Sequence, residues 1–189
     1  MSRVRREPPG GNPVTGFAPA PVWSLALAQL TLQLQERVNC EVNMECTVRW
    51  AGLSGMTFLA ETGSGHLLTM DGAPEGGGRN LAPRPMEVVL AGTGGCTAYD
   101  VVLILRKSGQ DITGCDAVLK SVRAEKDPKV FTSIHFHFTV RGHNLKANLV
   151  ERAIKLSHEK YCSASIMLEK TATITHSFEI VEDGPASPV

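Results

Sequence analysis

Residues 84–105 read RPMEVVLAGTGGCTAYDVVLIL. The run has the apolar content of a buried helix, and Pro85 suits a first turn, where a missing N–H leaves no bond unmade. The spacing predicts a helix over Pro85–Lys107. Yet Gly92, Gly94 and Gly95 lie inside it, with Cys96 directly after. Each interior glycine costs about 1 kcal/mol relative to alanine, so three cost about 2–3 kcal/mol. Close packing beside Cys96, by another helix or by a substrate, would offset that. The helix is also apolar nearly all round, through Val88, Val89, Leu90, Val101, Val102, Leu103, Ile104 and Leu105. Such a helix must be covered on every side. One sheet and one further helix cover only part of it, so an intertwined homodimer is expected.

Upstream, CTVRW (46–50), MTFLAE (56–61) and HLLTM (66–70) read as three short strands in a meander. Cys46, Val48 and Trp50 would form the core side of the first. DGAPEGGGRNLAPRP (71–85) is a glycine and proline loop. Downstream, DAVLKSVRAE and VFTSIHFHFTV read as strands around a KDP turn. In the second, Val130, Thr132, Ile134, Phe136, Phe138 and Val140 share one face. A helix covers about 145–159, a short one restarts after YCSAS and runs to Leu168, and TATITHSFEI is the last strand. The order β-β-β-α-β-β-α-α-β indicates an α+β fold with one six-stranded antiparallel sheet.

Residues 1–43 differ from the rest. REPPGGNPVTGFAPAPV is rich in proline and glycine, and a short apolar stretch follows it. Gln29, Gln33 and Gln35 interrupt that stretch and no clear cleavage site follows, which argues against a signal peptide. The expectation is an N-terminal extension over 1–43, disordered or loosely helical, then a domain over 44–183 and a tail over 184–189. Met44 is a candidate true start.

Composition excludes several classes. Nineteen basic residues balance nineteen acidic ones, unlike a nucleic-acid-binding face. No apolar run is judged long enough to cross a bilayer. The five cysteines form no CxxC pair and match no zinc-finger spacing. A cytoplasmic protein with reduced thiols is expected. No GxSxG, P-loop, HExxH or dinucleotide fingerprint occurs.

Cys96 and Cys162 are the chemical candidates. Small residues surround Cys96, and Thr93 and Asp100 neighbour it on the helix at i−3 and i+4. Cys162 lies in EKYCSAS, at a break between helical segments. A helix starting there would lower its thiol pKa, with Ser163 and Ser165 as further donors. Buried, inert cysteines packed at helix contacts are the plainer reading of both. His158 is a candidate base beside Cys162. Cys40, Cys46 and Cys115 carry no such signal. His135 and His137 form an HxH pair on a polar strand face without an evident third ligand.

PMEVVLAGTGGCTAYDVV, with Cys162 of KYCSASIMLEK 66 positions after its cysteine, resembles the OsmC/Ohr family of osmotically inducible and organic hydroperoxide resistance proteins. The resemblance spans about residues 45–182 and is greatest to the YhfA-type branch. It implies an intertwined α+β homodimer with active sites shared between chains. It implies that Cys96 attacks an organic hydroperoxide and becomes a sulfenic acid. Cys162 then closes a disulfide, which a dithiol reductant reopens. No metal or organic cofactor is implied.

The family's peroxidases use an arginine and a glutamate to activate the thiolate. The glutamate's position holds Met86, with Glu87 one residue later and about 100° round the helix. The arginine's position holds Thr69 or Met70, leaving Arg49 and Arg84 as substitutes. Two functions therefore follow as expectations. One is a thiol-dependent organic hydroperoxide reductase. The other is a dimeric protein that binds an apolar small molecule or responds to redox state with little turnover.

Overall fold

Glycines notwithstanding, Pro85–Lys107 is one unbroken helix, α1, in the computed structural model, which describes residues 44–52 and 55–184. Its start is built by Arg84, in extended conformation, whose backbone N–H donates to Glu87 Oε2 at 2.8 Å. This satisfies a donor that the first turn leaves open. Arg106 and Lys107 complement the negative C-terminal end of the helix dipole, and Gly109 (φ 72°) turns the chain out.

Preceding α1 are β1 (Cys46–Trp50), β2 (Phe58–Thr62), β3 (Leu67–Met70) and a single 3₁₀ turn, Pro74–Gly76. After α1 come β4 (Asp111–Arg123), β5 (Phe131–His143), α2 (Ala147–Leu156), a π turn (Ser157–Tyr161), α3 (Ser163–Leu168) and β6 (Thr173–Glu182). Residues 1–43 and 185–189, and hence the expected extension, Cys40 and most of the tail, lie outside the described residues. Residues 44–46 and 62–64 fall in a small unit of their own, tied by Gly63 N–H donating to the Glu45 carbonyl at 2.8 Å. The rest of the fold lies in the other unit.

Two three-stranded sheets replace the expected six-stranded one, in the orders β1-β2-β3 and β4-β5-β6. The second is mixed rather than antiparallel: β4 and β5 pair antiparallel, but β6 joins β5 in parallel. The reason is the connection. Two helices separate β5 from β6, and a long crossover delivers the returning strand in the same direction.

The core lies between this sheet and α1 and α2. Ile134, Phe136, Phe138 and Val140 of β5 are fully buried, as their alternation predicts. The alternation fails at the strand's start. Val122 pairs with Ser133 but Arg123 with Phe131, so the register skips Thr132. That irregularity turns Phe131 inward, leaving Thr132 exposed and Val130 outside the strand. Val150, Ala153 and Ile154 give α2 a buried i, i+3, i+4 stripe.

α1 buries Thr93, Gly94, Thr97, Val101 and Leu105. The four-residue steps from Thr93 to Leu105 mark one face, and Gly94 brings the backbone against β4. A Cβ on Gly94 would meet Leu119 Cδ1 at 2.9 Å. Beyond that face, Val89 is 43% and Tyr99 68% exposed in the single chain. By length and composition α1 is also able to cross a bilayer, which corrects the expectation that no run reaches that length. One face of it packs on β4 and the helices that follow.

The meander differs from expectation as well. Cys46, Val48 and Trp50 are all exposed rather than core-facing, and Ala60 is the buried residue of β2. Val48 and Trp50 on this sheet are 52% and 58% exposed. Asp71 organises the loop that follows. Its carboxylate accepts the backbone N–H groups of Gly72 (2.8 Å), Arg79 (3.0 Å) and Leu81 (3.0 Å). The Leu81 bond first, with those from Arg79, Gly72 and Thr57, outweighs the opposing effect of burial and holds the Asp71 pKa below its ordinary value. Gly78 crosses Gly72 so closely that a Cβ on Gly78 would fall 1.9 Å from the Gly72 oxygen.

Candidate active site

Position 162 is set by the π turn. There the Cys162 N–H reaches back five residues to the Ser157 carbonyl at 2.8 Å, instead of four. The extra residue breaks the helix, and the chain restarts as α3 with Cys162 as its N-cap. Cys162 Sγ accepts the Ser165 N–H at 3.4 Å. The side chain is fully buried (0% exposed).

α1 supplies the other wall. Cys96 is partly exposed, while Thr97 beside it is buried. Thr97 Oγ1 lies 3.2 Å from Cys162 Sγ, 3.1 Å from Ser165 Oγ and 3.0 Å from the Thr93 carbonyl. A hydroxyl has one proton, so donation to Cys162 is favoured when that sulfur is a thiolate. Asp100, one turn on, accepts a hydrogen bond from Ser157 Oγ on its Oδ2 at 3.0 Å. The donor atoms of Cys96, Asp100 and Cys162 all lie within 4.8 Å of one another.

The two sulfurs lie within 4.8 Å of each other, and their environments push their pKa values apart. Burial raises the Cys162 pKa, but hydrogen bonds from Cys96, Ser165 and Thr97 outweigh burial and leave it below the ordinary 9.0. Burial, then the Cys162 sulfur and the Asp100 charge, raise Cys96, against a lowering bond from the Ala164 N–H. Of the two, Cys162 is therefore the more readily ionised.

The remaining candidates lie elsewhere in the single chain. Arg49 pairs with Glu61 at 3.1 Å in the meander. Glu87 and the Arg84 backbone are joined in the α1 cap, and Met86 packs on the core. Thr69 and Met70 end β3. The His158 ring stacks on His176 (centroids 5.4 Å apart) and meets Phe136 edge-on (4.8 Å), which turns it to the sheet. Both its nitrogens lack a hydrogen-bond partner among the described residues, and burial lowers its pKa to about 4. It is therefore a neutral packing ring at neutral pH. His135 and His137 bond Ser177 Oγ at 3.0 and 2.9 Å, and His135 also bonds Thr175. Cys115, on β4, is pushed up to about 11 by burial and then by Asp116.

Sequence reasoning missed Thr97 and Ser157 as the hydroxyls that serve the cysteine pair. Thr97 is adjacent to Cys96 and was legible only as a small residue. Ser157 depends on the π turn, which no sequence signal announces. Next to Asp100 opens a cavity of about 480 Å³ lined by Leu103, Ile104, Leu149, Leu156, Tyr161 and Arg152, among others. Cys96 does not line it.

Comparison with known proteins agrees with this arrangement of elements. The OsmC-like protein family matches residues 76–177. Protein YhfA of Escherichia coli K12 is 49% identical over 138 residues, covering 73% of this chain and 98% of that protein. A crystal structure of a hypothetical protein from Aquifex aeolicus VF5 superposes with TM-score 0.65 at 28% identity, covering 75% of this chain and 98% of that one. An organic hydroperoxide resistance protein OsmC from Legionella pneumophila shares the fold, with TM-score 0.54 at 17% identity over 72% of this chain and 96% of that one. The chain belongs to the family of OsmC-like proteins, at a level of similarity that links it to YhfA.

Proposed function

We propose that the chain is a thiol-dependent reductase of organic hydroperoxides, with Cys96 as the attacking sulfur and Cys162 as its proton acceptor and resolving partner. The observation that carries this reading is the approach of the Cys96 and Cys162 sulfurs to within 4.8 Å of each other, from two residues 66 positions apart in sequence. Exposure supports these roles. Cys162 has no surface open to a peroxide, whereas Cys96 has.

The Cys162 thiolate takes the Cys96 proton, and the Ala164 N–H stabilises the charge as it moves to Cys96. The Cys96 thiolate attacks the terminal peroxide oxygen and the O–O bond breaks. The alkoxide leaves and recovers the proton from Cys162, which yields an alcohol, a Cys96 sulfenic acid and a Cys162 thiolate. That thiolate attacks the Cys96 sulfur, and hydroxide leaves to be protonated by solvent. The sum is thiol, thiolate, hydroperoxide and one proton giving disulfide, alcohol and water. A dithiol reductant then returns two electrons and two protons. The apolar cavity beside Asp100 is suited to the organic part of a substrate.

A homodimer and a cytoplasmic setting belong to the same reading. The exposed Val89 and Tyr99 of α1, and Trp50 and Leu59 of the meander, are apolar surface that a second copy would cover. Peroxide-dependent oxidation of a dithiol reductant tests the activity: wild-type turnover with cumene hydroperoxide, abolished in both Cys96→Ser and Cys162→Ser, is the expected result. The raised Cys96 pKa, with neither arginine beside it in the single chain, favours a second reading, a redox-responsive or binding protein with slow turnover. A single slow oxidation per chain with no sustained turnover would decide for it.

A further inference from the structure

The cysteine pair has a third neighbour that the peroxide chemistry does not use. Cys96 and Asp100 stand one turn apart on α1, and Cys162 is brought to them by the π turn, so two sulfurs and a carboxylate converge from two separate elements. We propose that the reduced protein binds one thiophilic divalent cation of the Zn²⁺ class through Cys96 Sγ, Cys162 Sγ and an Asp100 carboxylate oxygen.

Geometry comes first. The three donor atoms lie within 4.8 Å of one another. Tetrahedral zinc, with Zn–S near 2.3 Å and Zn–O near 2.0–2.2 Å, needs donors about 3.5–3.8 Å apart, so at most about 1.3 Å of closure is required. Donor chemistry comes second. Two sulfurs select zinc-like ions over magnesium or calcium, which prefer all-oxygen sites. The surrounding groups come third. Metal ligands are commonly oriented by outer hydrogen bonds, and two of these three have them. Thr97 Oγ1 and the Ser165 N–H point at Cys162 Sγ, and Ser157 Oγ donates to Asp100 Oδ2. The partial exposure of Cys96 leaves room for a water as fourth ligand.

Binding needs both sulfurs as thiolates, and the two sulfurs are lost as donors if they join in a disulfide. Metal and disulfide are therefore mutually exclusive states of one site. Asp100 gains a role in this state, since in the metal-free pair its charge only opposes ionisation of Cys96. The proposal uses the same side chains as the peroxide reading but none of its chemistry, so either stands without the other.

The test titrates the reduced full chain with Zn²⁺ against a chromophoric chelator, and with Co²⁺ in the spectrophotometer. The expected result is one equivalent bound per chain, with a near-ultraviolet thiolate-to-cobalt band and the strong visible bands of four-coordinate cobalt. Asp100→Asn is expected to weaken binding about 10-fold and to keep the thiolate band, while Cys96→Ser or Cys162→Ser weakens it about 100-fold or more. Protein oxidised to the disulfide binds no cobalt at the site. The wild-type cobalt spectrum reports sulfur ligation even if a variant fails to fold. Absence of a thiolate band, or affinity unchanged in Asp100→Asn, overturns the proposal.

Discussion

Thr97 Oγ1 lies 3.2 Å from Cys162 Sγ and joins the middle of α1 to the head of α3 in a fully buried contact. The hydroxyl also bonds Ser165 Oγ, so it is the hub through which α1 holds Cys162 and the start of α3. Thr97→Val removes the donor and leaves Ser165 short of a partner. The expected outcome is a Cys162 pKa moved up towards 9.0 and a loss of about 1–3 kcal/mol of stability. Ultraviolet thiolate absorbance followed against pH in the Cys96→Ser background, together with urea unfolding, checks both.

Gly92, Gly94 and Gly95 separate by what each faces. A Cβ on Gly92 or Gly95 meets nothing within 4 Å in the single chain, whereas one on Gly94 meets Leu119. In an isolated chain, Gly92→Ala and Gly95→Ala would each stabilise α1 by about 1 kcal/mol. If a second copy packs there, as proposed, they instead weaken self-association. Sedimentation equilibrium of the two variants is expected to show a shift towards monomer.

The fold buries His158 as a neutral ring, so acid should open it. Its folded pKa of about 4 lies below the ordinary 6.5, which means that the unfolded chain binds protons more readily through this interval. The stability contributed is complete above pH 6.5 and is lost as pH falls towards 4, by up to about 3 kcal/mol. His176, lowered first by its own burial, adds in the same direction. Urea midpoints measured from pH 7 to pH 4 should fall steeply, and more gently in His158→Phe.

Asp71 pins the glycine loop through three backbone N–H groups. Asp71→Ala leaves them without a partner in a segment where Gly72 and Gly78 touch. A loss of about 1–3 kcal/mol is expected. Amide hydrogen exchange should accelerate at Gly72, Arg79 and Leu81 and be unchanged in β5.

The sequence made α1, the strand positions and the cysteine pair legible because each rests on a local pattern or on spacing. Pro85 marked the helix start, alternation marked Ile134 to Val140, and the break at YCSAS marked the restart before α3. What escaped depends on tertiary pairing. β6 lies parallel to β5 because of where two intervening helices deliver it, which periodicity does not encode. The skipped residue Thr132 inverted the strand's first turn without a sequence signal. Ser157 reaches Asp100 only because one residue too many is wound into the turn after α2. Glu87 was expected to point away from the thiol, and the structure supplies the reason it is there: it caps the helix that carries Cys96.

The proposed chemistry turns on Cys96 and Cys162 acting as one unit. The most direct measurement treats the fully reduced protein with one equivalent of cumene hydroperoxide, quenches with an alkylating agent and maps the peptides by mass spectrometry. The account predicts a Cys96–Cys162 disulfide within each chain, replaced in Cys162→Ser by a trapped sulfenic acid on Cys96. Both thiols recovered alkylated, or oxidation found first on Cys46 or Cys115, would contradict it.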